Sequence, residues 1–169
     1  MAEREALTAD YVRSILDYDP ETGTLRWKHR HDAPPTWNAR YALKTAGCKS
    51  SKGYWFISIN YKRYLAHRLA WLYVTGYWPK HQIDHIDVDK LNNRFSNLRE
   101  ATNSQNHANI LAQKNNKCGV KGVSLHQDGR KWVAWCKRNY LGIFDNIEDA
   151  AKAYEKASRH HYGSFARVR

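Results

Sequence analysis

The chain has 169 residues, is 42% hydrophobic and carries a formal net charge of +12. That length admits one ordinary domain or two small ones with a real core, and no stretch approaches the roughly 18 consecutive apolar residues of a membrane helix. A basic excess this large calls for a polyanionic partner, and with no basic amphipathic helix in view, nucleic acid is favoured over a membrane surface.

The first residues, MAEREALTAD, lack an apolar secretory region, so a cytosolic protein is expected. Residues 7–17 place Leu7, Tyr11, Ile15 and Leu16 at helical spacing, with Thr8 as the cap. YDPETGTLRW reads as a turn entering a strand. Residues 30–53, rich in Pro, Gly, Lys and Ser, read as an irregular excursion. A hairpin follows: GYWFISI, a turn near Asn60–Lys62, then YLA. HRLAWLYVTG is a short amphipathic helix ended by Gly76 and Pro79. QIDHID and LREAT are short strands separated by the polar loop VDKLNNRFSN, and Ser104 is positioned to cap a helix over SQNHANILA.

KNNKC is polar and without periodicity, so residues 113–118 are read as a linker. Beyond it VKGVSLH, KWVAWCKR and YLGIF read as three strands, the first two joined by a QDGR turn. The last helix, NIEDAAKAYEKASRHHYG, has an apolar stripe of Ile147, Ala150, Ala151, Tyr154 and Ala157 or Ser158. Glu148 and Asp149 lie in its first turn and Gly163 just past its end. Cys48, Cys118 and Cys136 are far apart and form no C-x-x-C pair, so neither a structural zinc site nor a disulfide framework is expected.

The informative segment is IDHIDVDKLNNRFSNLREATNSQNHAN. It contains Asp84-His85, Asn97 twelve residues after the histidine and Asn106 nine residues further on, with NNR and NLR-x-x-T between. This pattern resembles the HNH nuclease motif, in the variant found in phage homing endonucleases. The resemblance implies that His85 is the general base, that Asn97 holds the His85 ring and fixes its tautomer, and that Asp84 and Asn106 bind a divalent cation. Magnesium is the expected metal, with manganese as a substitute. The residue types suit the chemistry. A neutral histidine can deprotonate water near pH 7, and a carboxylate with an amide oxygen suits a hard cation. Neighbours on a strand point to opposite faces, so Asp84 and His85 share a site only where the strand ends or bends. His107 is a weaker ligand candidate. His67 reads as a helix residue facing the core or the site edge, and His160 and His161 as solvated.

The strings VKGV, KWVAW, LGIF, EDAAKAY and GSFAR, within residues 119–166, resemble the plant ethylene-response-factor (Apetala-type) DNA-binding domain. That family lays a three-stranded sheet in the major groove. Carried over by position, the contact residues are Lys121, Ser124, His126, Lys131, Trp135, Lys137 and Tyr140. The chain departs from the plant pattern at Ser124, His126, Trp135 and Lys137, so the plant target sequence is not carried over. Strand alternation puts Val133, Trp135 and Lys137 on one face, and Trp132, Ala134 and Cys136 on the core face. Residues 113–169 hold twelve Lys and Arg against five acidic residues.

The expected protein is α+β in two parts. Residues 1–112 form an HNH domain with a ββα-metal site, and residues 119–169 form a three-stranded antiparallel sheet packed on one helix. The expected function is metal-dependent cleavage of double-stranded DNA in a bacterial or phage-infected cell. The alternative is a DNA-binding regulator with an inert HNH fold. Monomer and homodimer both stay open, as do nicking and double-strand cleavage.

Overall fold

The backbone nitrogen of Tyr11 donates to the Thr8 hydroxyl at 3.2 Å, so the expected cap starts the first helix, α1 (Ala9–Ile15). The computed structural model describes residues 7–112 and 116–168. They fall into two compact units divided between Glu100 and Ala101.

In the first unit, α1 runs into an antiparallel hairpin of β1 (Leu16–Asp19) and β2 (Thr24–Trp27). The Asp19 carboxylate shapes the connecting turn by accepting from the Glu21 backbone at 2.9 Å and the Thr22 hydroxyl at 2.7 Å. The segment 30–53, expected to be irregular, contains a short helix, α2 (Pro35–Tyr41), and a two-residue strand, β3 (Cys48–Lys49). Pro35 stands in the first turn of α2, where a fixed φ and a missing N–H suit a helix start. The proline pair therefore opens a helix here and does not merely break the chain.

Strand β3 is the edge of an antiparallel sheet ordered β3-β4-β5, with β4 (Trp55–Ile59) and β5 (Lys62–Leu65) forming the expected hairpin. Asn60 and Tyr61 both adopt left-handed backbone, φ 50° and 62°, as a tight two-residue turn requires. Helix α3 (Ala66–Thr75) follows and ends at Gly76 in the left-handed region, φ 84°. Val12, Leu16, Ile57, Ile59, Leu69 and Leu72 are fully buried together, so α1, β1, β4 and α3 share one core. Each such side chain contributes about 1.5–3 kcal/mol on burial. The unit closes with β6 (Gln82–His85) paired to β7 (Leu98–Ala101), and a single 3-10 turn at Phe95–Asn97 precedes β7.

The second unit opens with α4 (Asn103–Asn109). Its cap is Thr102, not Ser104: Thr102 accepts from the Gln105 backbone at 3.3 Å while the Gln105 side chain accepts from the Thr102 backbone at 2.9 Å. This reciprocal capping box holds two backbone donors, which Ser104 could not do from within the first turn. Part of the linker read at 113–118, residues 113–115, lies outside the described residues. Asn116 within it donates to the Val120 carbonyl at 2.7 Å. The three expected strands are β8 (Val123–Leu125), β9 (Trp132–Cys136) and β10 (Asn139–Phe144), in the order β10-β9-β8. Helix α5 (Ile147–Tyr162) is capped by Asn146 and buries Ala150, Ala151, Tyr154 and Ser158, which is the stripe read from the sequence. These pack with Val120, Val123, Ala134 and Cys136. Ala134 and Cys136 thus face the core and Trp135 is exposed, as strand alternation requires. Among the described residues no helix is long and apolar enough to cross a membrane.

Candidate active site

Strand β6 stops at His85. The Val88 nitrogen donates back to the His85 carbonyl at 3.0 Å, with Val88 in the left-handed region at φ 71°, and the Ile86 nitrogen donates to the Asn97 carbonyl at 2.9 Å. The chain therefore turns directly after the Asp84-His85 pair. Both side chains are buried, at 4% and 5% exposure, and each has its own surroundings. The Asp84 carboxylate accepts from Arg99 Nε on β7 at 2.9 Å in a buried ion pair. The His85 ring meets the edge of His67 on α3, centroids 4.9 Å apart, with Tyr54 at 6.2 Å.

The residue at the His85 ring is Asn93. Its Oδ1 lies 3.2 Å from His85 Nε2. With the Asn93 amide oxygen as acceptor, the tautomer that donates from Nε2 fits this contact. The expected bond from Asn97 is not formed. Asn97 Nδ2 donates to the Asp87 carboxylate and to the Asn92 carbonyl, both at 2.9 Å, and its Oδ1 accepts from the Asp87 nitrogen at 3.1 Å. Asn97 thereby ties the loop after β6 into shape, and the shaped loop presents Asn93. Burial alone would raise the Asp87 pKa, but hydrogen bonds from Asn92 and Asn97 outweigh it and the pKa is lowered.

Asn93 is itself fixed from behind. Its carbonyl accepts from the Tyr18 hydroxyl at 2.7 Å, and the β1–β2 turn presses on its backbone through Gly23. Asn93 sits inside the NNR string, which is the only signal the sequence offers for it.

Burial lowers the His85 pKa below the usual imidazole range, against the opposing pull of the Asn93 hydrogen bond and of Asp87, Asp84 and Asp89. Burial therefore favours the neutral form of this ring. His67 is also buried and its pKa is pushed down to about 3 by burial, with the charges of His85 and Arg68 adding to the shift. Its Nδ1 has no hydrogen-bond partner among the described residues, and Tyr54 covers it at 5.5 Å. Lys90, on the loop after β6, stands 4.6 Å over the Tyr54 ring. His67, read from the sequence as facing the core or the site edge, packs on His85, and Tyr54 and Lys90 stand beside this ring pair without having been read as site residues.

The His67 burial has a measurable consequence. The unfolded chain binds the His67 proton near pH 6.5, whereas the folded chain does so only near 3. Stability from this group is full above about 6.5 and is lost as pH falls from there towards 3. His67→Phe should recover on the order of 2 kcal/mol of stability at pH 4.5 relative to its effect at pH 7. Urea midpoints at both pH values check this, and an equal effect at the two would contradict it.

Asn106 lies half-buried on α4, in the second unit, while Asp84 belongs to the first. His107 is exposed on α4. Of the residues read as a DNA-contact face, Ser124, Trp135 and Tyr140 are exposed on the second sheet, with Trp135 and Tyr140 paired across strands at 5.0 Å. His126 lies 3.1 Å from Asp128 and Lys131 lies 3.3 Å from Asp145. Lys121 departs from the expectation. Its ammonium is half-buried and donates to the Ala108 and Ile110 carbonyls, capping the end of α4, and burial lowers its pKa. Lys137 lies past the end of β9 in a left-handed turn conformation, φ 57°, with its ammonium 4.9 Å over Tyr162.

A family model for HNH endonucleases matches residues 64–108. That span runs from β5 through α4 and contains His67, Asp84, His85, Asn93, Asn97 and Asn106. Protein 3.8 of Escherichia phage T7 is 34% identical over 114 residues, covering 64% of this chain and 93% of that protein. The chain belongs to the protein 3.8 family. An uncharacterized HNH endonuclease of Acanthamoeba polyphaga mimivirus is 33% identical over 112 residues, covering 65% of this chain and 59% of its own length. No solved structure matches. In this member of the protein 3.8 family the HNH match ends before β8, so the second sheet lies outside it.

Proposed function

We propose that this protein is a metal-dependent DNA endonuclease in which His85 activates the attacking water. The observation that carries the reading is a buried His85, kept neutral by its surroundings and oriented by Asn93, directly beside Asp84 in the HNH-matched segment. Hydrolysis of a phosphodiester needs a base that can take a proton from water and a cation facing the developing negative charge. The neutral imidazole of His85 is the group for the first task. Arg99 orients the Asp84 carboxylate for the second, as a neighbour that fixes a ligating group.

The resemblance to the HNH motif implies Asn106 as the second metal ligand. The donor set is one carboxylate and one amide oxygen without a thiol, which suits magnesium or manganese. When bound, such a cation supplies positive charge at the scissile phosphate. DNA binding by the second unit is part of the same proposal. The likeness to the ethylene-response-factor sheet supports it, and Ser124, Trp135 and Tyr140 are exposed on the sheet for contact. His126 and Lys131 are shared with Asp128 and Asp145, and Lys121 is committed to α4, so these carry less of it.

The deciding experiment is incubation with supercoiled plasmid. Nicking with magnesium and its loss in chelator are the expected results. Nicking that survives the chelator overturns the metal role, and binding without any nicking favours a DNA-binding regulator.

A further inference from the structure

Helix α2 buries none of its residues fully, yet it is held in a fixed place. Trp37 on it packs edge-on against Trp27 of β2 at 5.4 Å and lies 5.3 Å from Tyr41. Asn38 anchors the approach to α2 through both its amide atoms, accepting from the Arg30 nitrogen at 2.9 Å and donating to the Arg30 carbonyl at 2.7 Å. The turn after α2 is pinned to β2: the Leu43 nitrogen donates to the Trp27 carbonyl at 2.7 Å and the Trp27 nitrogen to the Lys44 carbonyl at 3.0 Å. Leu43 is held there with φ 65° and 78% exposure, an unusual conformation for a large apolar side chain in water.

Between α2 and the outer face of the β3-β4-β5 sheet lies a groove of about 560 Å³, lined by Trp27, Trp37, Tyr41, Cys48, Phe56 and Ser58 among others. Its aromatic walls carry cations. Arg30 lies 5.4 Å over Trp37, Arg40 lies 5.3 Å over Tyr41 and Arg63 lies 4.8 Å over Phe56. Arg30 is shared with Asp32, but among the described residues no carboxylate pairs with Arg40, Lys44 or Arg63. Residues 28–52 hold six Lys and Arg against a single acid, Asp32.

We propose that this groove binds an unpaired stretch of nucleic acid, its bases against the aromatic walls and its phosphates on Arg40 and Arg63. Aromatic walls with a cationic rim are the physical requirements for holding a single strand, because stacking is available to any base while the cations track the backbone. A duplex keeps its base faces stacked inside and offers the groove only its charged exterior, which gives the rings no base to stack on. The groove lies wholly in the first unit and neither Asp84 nor His85 lines it, so this binding does not depend on the nuclease reading.

Cys48 makes the proposal testable on the intact protein. It is the exposed cysteine and lines the groove, whereas Cys118 is half-buried and Cys136 buried. In chelator, an oligothymidine of about twelve nucleotides, within the usual span of such sites, is added to saturation. Alkylation of Cys48 by N-ethylmaleimide, followed by peptide mass spectrometry, should slow about tenfold as the groove fills. Arg40→Glu combined with Arg63→Glu, both at exposed positions, should weaken oligothymidine binding and lower its salt slope by about 1.4, at about 0.7 per phosphate contact. An unchanged Cys48 rate at saturation, equal protection by a blunt duplex of the same length, or wild-type oligothymidine affinity in the folded double variant would each overturn the proposal.

Discussion

Replacing His85 by alanine should lower magnesium-dependent plasmid nicking by about 10²–10⁴-fold, the usual contribution of a general base, while duplex affinity stays close to that of the wild type. The expectation rests on two features. Burial keeps the ring neutral, so it can accept a proton at pH 7, and Asn93 fixes its orientation at 3.2 Å. The rival reading makes His85 a packing residue, since it also contacts His67 and Tyr54. Truncating a packed ring to alanine can cost several kcal/mol on its own, by analogy with other large-to-small core changes at about 2–5 kcal/mol. His85→Gln keeps more of the volume and removes the base, so it separates the two. A folded His85→Gln variant that nicks at the wild-type rate would make the residue structural. Asn93→Leu offers a second discrimination. It should retain the base, release its orientation and shift the pH–rate profile, whereas Asn97→Leu should act through loop stability.

Much of this was visible in the sequence, for identifiable reasons. Asp84 and His85 are adjacent in the chain and the HNH match covers them, and the end of β6 at His85 is what the sequence required if the two were to share a site. The alternation in WVAWC separated Trp135 from Ala134 and Cys136 because a strand has only two faces. The partner of His85 was not legible. Asn93 and Asn97 lie four residues apart in one polar loop, and either could reach back. The choice falls to Asn93 because Asp87 draws the Asn97 amide away and the 3-10 turn at Phe95–Asn97 sets the loop path. Lys121 was read as a contact residue from its charge and position. The open carbonyls at the end of α4 capture it instead, and those carbonyls are supplied by a helix a dozen residues away in the chain. Segment 30–53 hid α2 because its helix has no apolar stripe to bury. Its aromatic residues face a groove, and periodicity analysis detects only faces turned to a core.

Gly23→Ala should be among the most damaging single changes in the first unit, although Gly23 is far in sequence from the proposed chemistry. Its φ is 73°, a region that alanine enters only at a cost of about 1 kcal/mol. A Cβ there would also stand 2.4 Å from the Arg94 nitrogen and 2.4 Å from the Asn93 carbonyl carbon. Both are backbone atoms, so no rotamer change relieves the clash, and either the β1–β2 turn or the loop after β6 must move. The Tyr18 hydroxyl holds the Asn93 carbonyl at 2.7 Å in a buried contact, which resists that movement. The combined penalty should reach about 3 kcal/mol or more, the size reserved for a named backbone conflict. Gly76→Ala is the control. Its φ of 84° imposes the same conformational cost, but the nearest atom is the tip of Arg13 at 3.9 Å, so about 1 kcal/mol is expected. The difference between the two urea midpoints isolates the clash. If the molecules yield by moving Asn93, His85 loses its orientation, and a displacement near 1 Å can slow catalysis by about 10²-fold. Nicking per folded molecule should then fall in Gly23→Ala and hold in Gly76→Ala. Equal midpoints for the two variants would mean that the turn yields freely and Gly23 does not brace the site. A large stability loss with full nicking per folded molecule would mean that Gly23 braces the fold without setting the position of Asn93.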